Sequence, residues 1–115
     1  MEIASDAQGN IWATSFTTAL LLKLDPKRNA FTSYPAPSTG NGAGAMYGLL
    51  VTRSGEPWVT ITSANIIAKL DSATRHFIYY RIPTEGSLPF GLVMDTQHRI
   101  WFTEAGSNKI GMLKP

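Results

Sequence analysis

Apolar residues fall along this chain in short runs, none long enough to build the face of a helix. In the middle third the runs read YGLLVT (47–52), PWVTIT (57–62), NIIAKLD (65–71) and HFIYYRIP (76–83). They are separated by turn chemistry such as RSGE (53–56) and SATR (72–75). Valine, isoleucine, threonine and aromatics suit a pleated surface, and runs of this length between turns predict strands. The first third repeats the plan with EIASD (2–6), NIWATSF (10–16), ALLLKLD (19–25) and AFTSYPAP (30–37). The last third has FGLVMD (90–95), RIWFTE (99–104) and NKIGML (108–113), so its fourth strand is absent.

The tryptophans set the register. Trp12, Trp58 and Trp101 are spaced 46 and 43 residues apart. Six residues before them lie Asp6, Thr52 and Asp95, and ten before them Glu2, Gly48 and Gly91. Twelve residues after them come Leu24, Leu70 and Leu113. Phe31 and Phe77, Tyr34 and Tyr80, and Pro37 and Pro83 continue the match in the first two units. A period of about 40–45 residues with four strands per unit marks a β-propeller blade. A sandwich or plain meander of eleven strands would leave repetition at the level of single residues unexplained. The chain therefore reads as an all-β propeller segment of three four-stranded blades, residues 1–45, 46–89 and 90–115, the third lacking its outer strand.

A blade buries both faces against its neighbours, so it needs large apolar groups on each side of the sheet. On the second strand of the last unit, Trp101 and Thr103 share one face and Phe102 takes the other. The three tryptophans are expected at equivalent buried positions, as wedges between blades. Gly48 and Gly91 are expected beside the central axis, where inner strands converge. Asp25 and Asp71 precede turns whose N–H groups a carboxylate can accept. An unfinished blade leaves a bare strand edge and uncovered apolar faces. Self-association that completes a ring, or membership of a longer protein, is the expected consequence.

Composition narrows the chemistry. With 43% hydrophobic and 16% charged residues, 115 residues suffice for one packed soluble domain. A formal net charge of +2, from interspersed basic and acidic residues, predicts no nucleic-acid or membrane partner. The absence of cysteine excludes disulfides, thiolate zinc sites and thiol catalysis. MEIASDAQGN shows no basic region followed by an apolar core, and the cytoplasm is the expected compartment.

Strand alternation sorts the loops onto two ends of the ring. The turns between second and third strands and the loops between blades share the end that opens the central channel, where a small-molecule ligand is expected. His76 and His98 fall in turns of the opposite end and read as solvated turn residues. Of the carboxylates at the channel end, Glu2, Glu85 and Glu104, the last is the most informative, because its equivalents are Ser15 and Ile61. Glu104 reads either as a site residue or as a capping glutamate paired with Lys109. GNGAGA (40–45) lacks the lysine of a phosphate loop and reads as an insertion between blades.

The segment GLVMDTQHRIWFTEAGSNKIGMLKP (91–115) resembles the repeat of the virginiamycin B lyase (streptogramin lyase) family, and the likeness extends more weakly over the other two units. Within it, DTQHRIWFTE (95–104) keeps the aspartate of the family's repeat and loses the glycine. The resemblance implies a magnesium-dependent lyase that opens streptogramin B antibiotics by elimination. Its site uses a histidine just before the inner strand and a glutamate fourteen residues later. The matching pairs here are Met1 with Ser15, Tyr47 with Ile61, and Phe90 with Glu104, and none contains histidine. Tyr47, Phe90, Glu104 and Asn108 are thus the candidate ligand-binding residues. Glu104 is the candidate catalytic or magnesium-binding group. The expected function is a propeller scaffold or ligand-binding module without activity on its own. The alternative is a lyase whose site other blades or subunits complete. A sugar-lactone hydrolase would need more carboxylate and asparagine ligands than Glu104 and Asn108 provide.

Overall fold

The computed structural model describes residues 2–36 and 45–115; most of the GNGAGA insertion and Pro37 lie outside them. Eleven strands form three antiparallel sheets, each in simple meander order. The first contains β1 (Ile3–Ser5), β2 (Ile11–Ser15), β3 (Leu20–Asp25) and β4 (Ala30–Pro35). The second contains β5 (Met46–Val51), β6 (Pro57–Ile61), β7 (Ile66–Leu70) and β8 (Phe77–Arg81). The third contains β9 (Pro89–Met94), β10 (Ile100–Glu104) and β11 (Lys109–Leu113). A single 3₁₀ turn, Thr62–Ala64, is the only helical element among the described residues. Among the described residues, no helix is long and apolar enough to cross a membrane. The protein is a three-bladed propeller segment with a three-stranded last blade, as the repeat predicts.

Two apolar clusters join the blades. Trp12 and Leu21 of the first blade pack with Met46, Val59, Ile61, Ile66, Ala68 and Leu70 of the second. One blade further on, Trp58, Ile67 and Ile82 pack with Leu92, Ile100 and Phe102. The clusters use the same register, so each blade presents its tryptophan face to the next blade. Trp12 and Trp58 are 4% and 2% exposed. Trp101 is only half-buried, because no following sheet covers it among the described residues. Tyr34 and Tyr80 stack on the first two indoles at 6.1 and 5.9 Å.

Hydroxyl groups tie the blades together beside the axis. Thr14 Oγ1 accepts the Glu2 N–H at 3.0 Å and donates to the Tyr47 carbonyl of the next blade at 2.7 Å. Thr60 Oγ1 accepts the Gly48 N–H at 2.7 Å and donates to the Phe90 carbonyl at 2.7 Å. The β5–β6 ladder shifts register at Thr60, and the β9–β10 ladder shifts at the equivalent Thr103. A bulge frees the inner-strand N–H, and the threonine oxygen replaces the lost ladder acceptor. A Cβ on Gly48 would collide with the Phe90 carbonyl oxygen and crowd Leu92 and Thr60, so this close approach requires glycine. The equivalent Gly91 has open space.

At the opposite end, aspartates anchor the turns. Asp25 and Asp71 accept N–H groups two residues on, at 3.1 and 3.0 Å. Asp6 and Asp95 also reach the indole: Trp12 Nε1 donates to Asp6 at 2.9 Å and Trp101 Nε1 to Asp95 at 2.8 Å. Thr52 replaces this aspartate in the middle blade and accepts the Glu56 N–H but not the indole. The Trp58 N–H is consequently buried without a partner among the described residues.

The indole of Trp101 holds the Asp95 carboxyl well below the usual carboxylate range, with the Arg99 and Gln97 N–H groups and the Arg99 guanidinium adding to the shift. For Asp6, burial pushes upward, but hydrogen bonds from Trp12, Asn10 and Gln8 outweigh it and lower the pKa. Depressed carboxylates contribute stability that is present above the unfolded-state value of about 3.9 and lost as pH falls toward the folded-state value. Urea midpoints should therefore begin to fall below about pH 4. The Asp6→Asn and Asp95→Asn variants should be less stable at neutral pH and show a shallower acid limb.

Candidate site at the mouth of the ring

The channel end is built from the turns after β2, β6 and β10 and from the loop between β8 and β9. Tyr47 lies near the start of β5 and Phe90 near the start of β9, equivalent positions in successive blades. Their rings meet edge to face at 4.9 Å. Phe16, just beyond β2, meets Tyr47 in the same manner at 6.1 Å. Three neighbouring blades thus contribute one row of aromatic rings, an arrangement that favours apolar or aromatic contact surface.

Glu104 ends β10 and is 5% exposed. It stands at the register of Ile61, which belongs to the apolar contact between the first two blades. The carboxylate fits because Gly111 on β11 has no Cβ; one there would collide with the Phe102 ring and crowd Glu104 Oε2. Among the described residues, Glu104 Oε1 is buried without a hydrogen-bond partner. Lys109 is its cross-strand neighbour, yet no ion pair joins them among the described residues. The expected salt bridge with Lys109 is therefore not formed. The lysine is exposed, and its head remains in water while the carboxylate turns inward.

Asn108 is exposed, with φ +58° in the turn after β10. It shares the rim of a shallow depression with Thr103, Glu104 and Lys109. Its equivalent in the second blade, Asn65, has φ +62° and clamps the loop after β8. Asn65 Nδ2 donates to the Ile82 and Thr84 carbonyls at 3.0 and 2.8 Å, while its Oδ1 accepts from the Ser87 N–H and hydroxyl. That loop in turn bonds to the turn after β10, through Gly106 N–H to Ser87 carbonyl at 2.8 Å. Phe16 and Asn65 did not stand out in the sequence. Asparagine at two equivalent turns was the available signal for the clamp.

His76 and His98 are exposed turn residues at the other end. His98 has φ +62° where the other two blades carry Gly9 and Gly55 at +86° and +88°, so it fills the left-handed slot of the lost repeat glycine. Among the described residues, no three His, Cys, Asp or Glu side chains converge. Magnesium demands six oxygen ligands in near-octahedral geometry, usually with one or two carboxylates and several waters. Glu104 would supply one carboxylate of that shell, and the described residues do not supply the rest.

The selenomethionine-substituted virginiamycin B lyase from Staphylococcus aureus superposes with a TM-score of 0.87 and 26% identity, over 97% of this chain and 36% of that chain. The chain resembles the virginiamycin B lyase family. A catalytically inactive histidine-to-alanine variant of that enzyme, with quinupristin, superposes at 0.79 with 22% identity over 98% of this chain and 40% of that chain. A streptogramin B lyase does so at 0.79 with 24% identity, covering 98% and 39%. This chain spans less than half the length of these lyases. No family model and no curated protein sequence matches it.

If Glu104 serves only packing, its orphaned oxygen costs stability. Replacing it with the apolar side chain its register carries elsewhere should then help. An unpaired buried polar group costs about 1–3 kcal/mol, so Glu104→Leu should raise the unfolding free energy by about 1 kcal/mol or more in urea titration. A drop in stability would mean that the carboxylate is held by partners the folded chain supplies.

Proposed function

We propose that the chain is a propeller scaffold that binds a small molecule at the mouth of its ring and does not linearise streptogramins on its own. The observation that carries this reading is the edge-to-face pair of Tyr47 and Phe90, which occupies the positions where the lyase resemblance places histidine. Elimination needs a base for the α-proton of the substrate. A phenylalanine ring offers no proton acceptor, and a tyrosine hydroxyl is a far weaker base than the imidazole of a histidine. The row Phe16, Tyr47 and Phe90 supports an apolar or aromatic ligand instead.

A second reading keeps the lyase chemistry. It holds that this chain contributes Glu104 to a magnesium-dependent site finished by further blades or another subunit. The buried, unpartnered Oε1 of Glu104 favours it, since an orphaned carboxylate oxygen can be the mark of a missing ligand.

Mass spectrometry of a streptogramin B antibiotic incubated with the purified chain and magnesium separates the two. Loss of a general base lowers rates by about 100- to 10,000-fold, so no linear product should appear. Phe90→His should be necessary, though insufficient, for activity. Turnover that vanishes in Glu104→Gln and survives replacement of His76 and His98 would establish the lyase reading.

A further inference from the structure

The middle blade lacks a contact that its two sisters share at the end of the ring away from the channel mouth. In the first blade one oxygen of Asp6 caps the turn, accepting the Gln8 and Asn10 N–H groups, and the other accepts the Trp12 indole N–H at 2.9 Å. Asp95 divides its oxygens in the same way, between the Gln97 and Arg99 N–H groups and the Trp101 indole. Thr52 has a single side-chain oxygen, and it performs the first task only, accepting the Glu56 N–H at 3.0 Å. Trp58 is 2% exposed, and among the described residues nothing accepts its indole N–H. A buried donor without an acceptor costs stability, and such groups are rare enough to call for an explanation.

The surroundings suit an anion. Thr52 and Trp58 line a cleft between the second and third blades together with Arg53, Glu56, Lys69 and His98. Lys69 Nζ lies 5.6 Å from the indole centroid and 3.5 Å from Glu56 Oε2. Arg53 is exposed and enters no ion pair among the described residues. Asp95, also in this cleft, is already held by Arg99 and Trp101. Arg53 and Lys69 thus share one acid, Glu56, and leave an excess of positive charge. The corresponding cleft between the first and second blades contains Asp6, Trp12 and Lys23. The arrangement therefore belongs to the junction between blades, and the second junction differs by one carboxylate.

We infer that the cleft between the second and third blades binds a small-molecule carboxylate, one oxygen of which accepts the Trp58 N–H as Asp6 and Asp95 accept those of Trp12 and Trp101. Lys69, whose flexible chain lies over the indole, turns toward the entering anion, and Arg53 adds a second cation. A water would satisfy the N–H alone and leave the excess charge in place. Hydrogen bonds to an ionised acceptor are about twice as strong as neutral ones, which favours a carboxylate at this buried donor. The site lies at the opposite end of the ring from the row of Phe16, Tyr47 and Phe90, and it stands independently of the ligand proposed there.

Titration of the chain with sodium formate tests the site, followed in proton–nitrogen correlation spectra in which the indole N–H resonances of Trp12, Trp58 and Trp101 are assigned. The Trp58 resonance should move downfield and saturate, with a dissociation constant on the order of millimolar for so small a probe. Those of Trp12 and Trp101 should stay in place. Thr52→Asp supplies the carboxylate from within the chain, so its Trp58 resonance should start downfield and no longer respond to formate. Arg53→Gln should weaken formate binding by about threefold. Sodium chloride at equal ionic strength should leave the Trp58 resonance where it was. A Trp58 resonance that stays fixed throughout the formate titration would overturn the inference. So would one that moves equally with chloride, or one that still responds to formate in Thr52→Asp.

Discussion

Sheets stacked around an axis cannot hydrogen-bond to one another as strands within a sheet do, and the inner strands β1, β5 and β9 nonetheless run close together. The hydroxyls of Thr14 and Thr60 resolve this conflict. Each accepts an N–H from its own inner strand and donates to a carbonyl of the next, and both residues are buried, at 1% and 0% exposure. Non-directional apolar packing supplies most of the attraction between blades, but it does not set their spacing to a few tenths of an ångström. The threonine bridges do, and that of Thr60 explains the bulge in β5 and the glycine at position 48.

The same bridge shows how much of the architecture was legible beforehand. Tryptophan spacing revealed three units and eleven strands because large side chains at equivalent positions must fill equivalent spaces. Gly48 and Gly91 were identified as inner-strand positions on the same ground. The roles of the threonines were not, although Trp-x-Thr recurs at 12–14, 58–60 and 101–103. Threonine is common in any strand, and nothing in a single sequence separates a hydroxyl that bonds across blades from one that merely suits a pleat. Equivalent positions were also read as equally buried, which fails for Trp101. Burial depends on what stands opposite, and repetition within a chain describes only the residue.

The candidate site was legible as a location more than as a chemistry. Strand alternation placed Glu104 and Asn108 at one end of the ring and the histidines at the other. Phe16 escaped notice because its contact with Tyr47 crosses from one blade to the next. The inward turn of Glu104 depends on the missing Cβ of Gly111, a cross-strand relation that spacing alone does not reveal. A position that is isoleucine in one blade and glutamate in another is where a repeated scaffold departs from its own packing rule, and such departures are where function is sought.

Replacing Thr60 separates the bridge from the packing around it. Thr60→Val keeps the shape and removes the hydroxyl, leaving the Gly48 N–H and the Phe90 carbonyl without this partner; Thr60→Ser keeps the hydroxyl and deletes a methyl. An unsatisfied buried group costs about 1–3 kcal/mol, and a deleted buried methyl about 1 kcal/mol. Urea unfolding should therefore show the valine variant destabilised by about 2–4 kcal/mol and clearly below the serine variant. Valine as stable as the wild type, or serine the worse of the two, would contradict the account that hydroxyl bridges hold the blades in register.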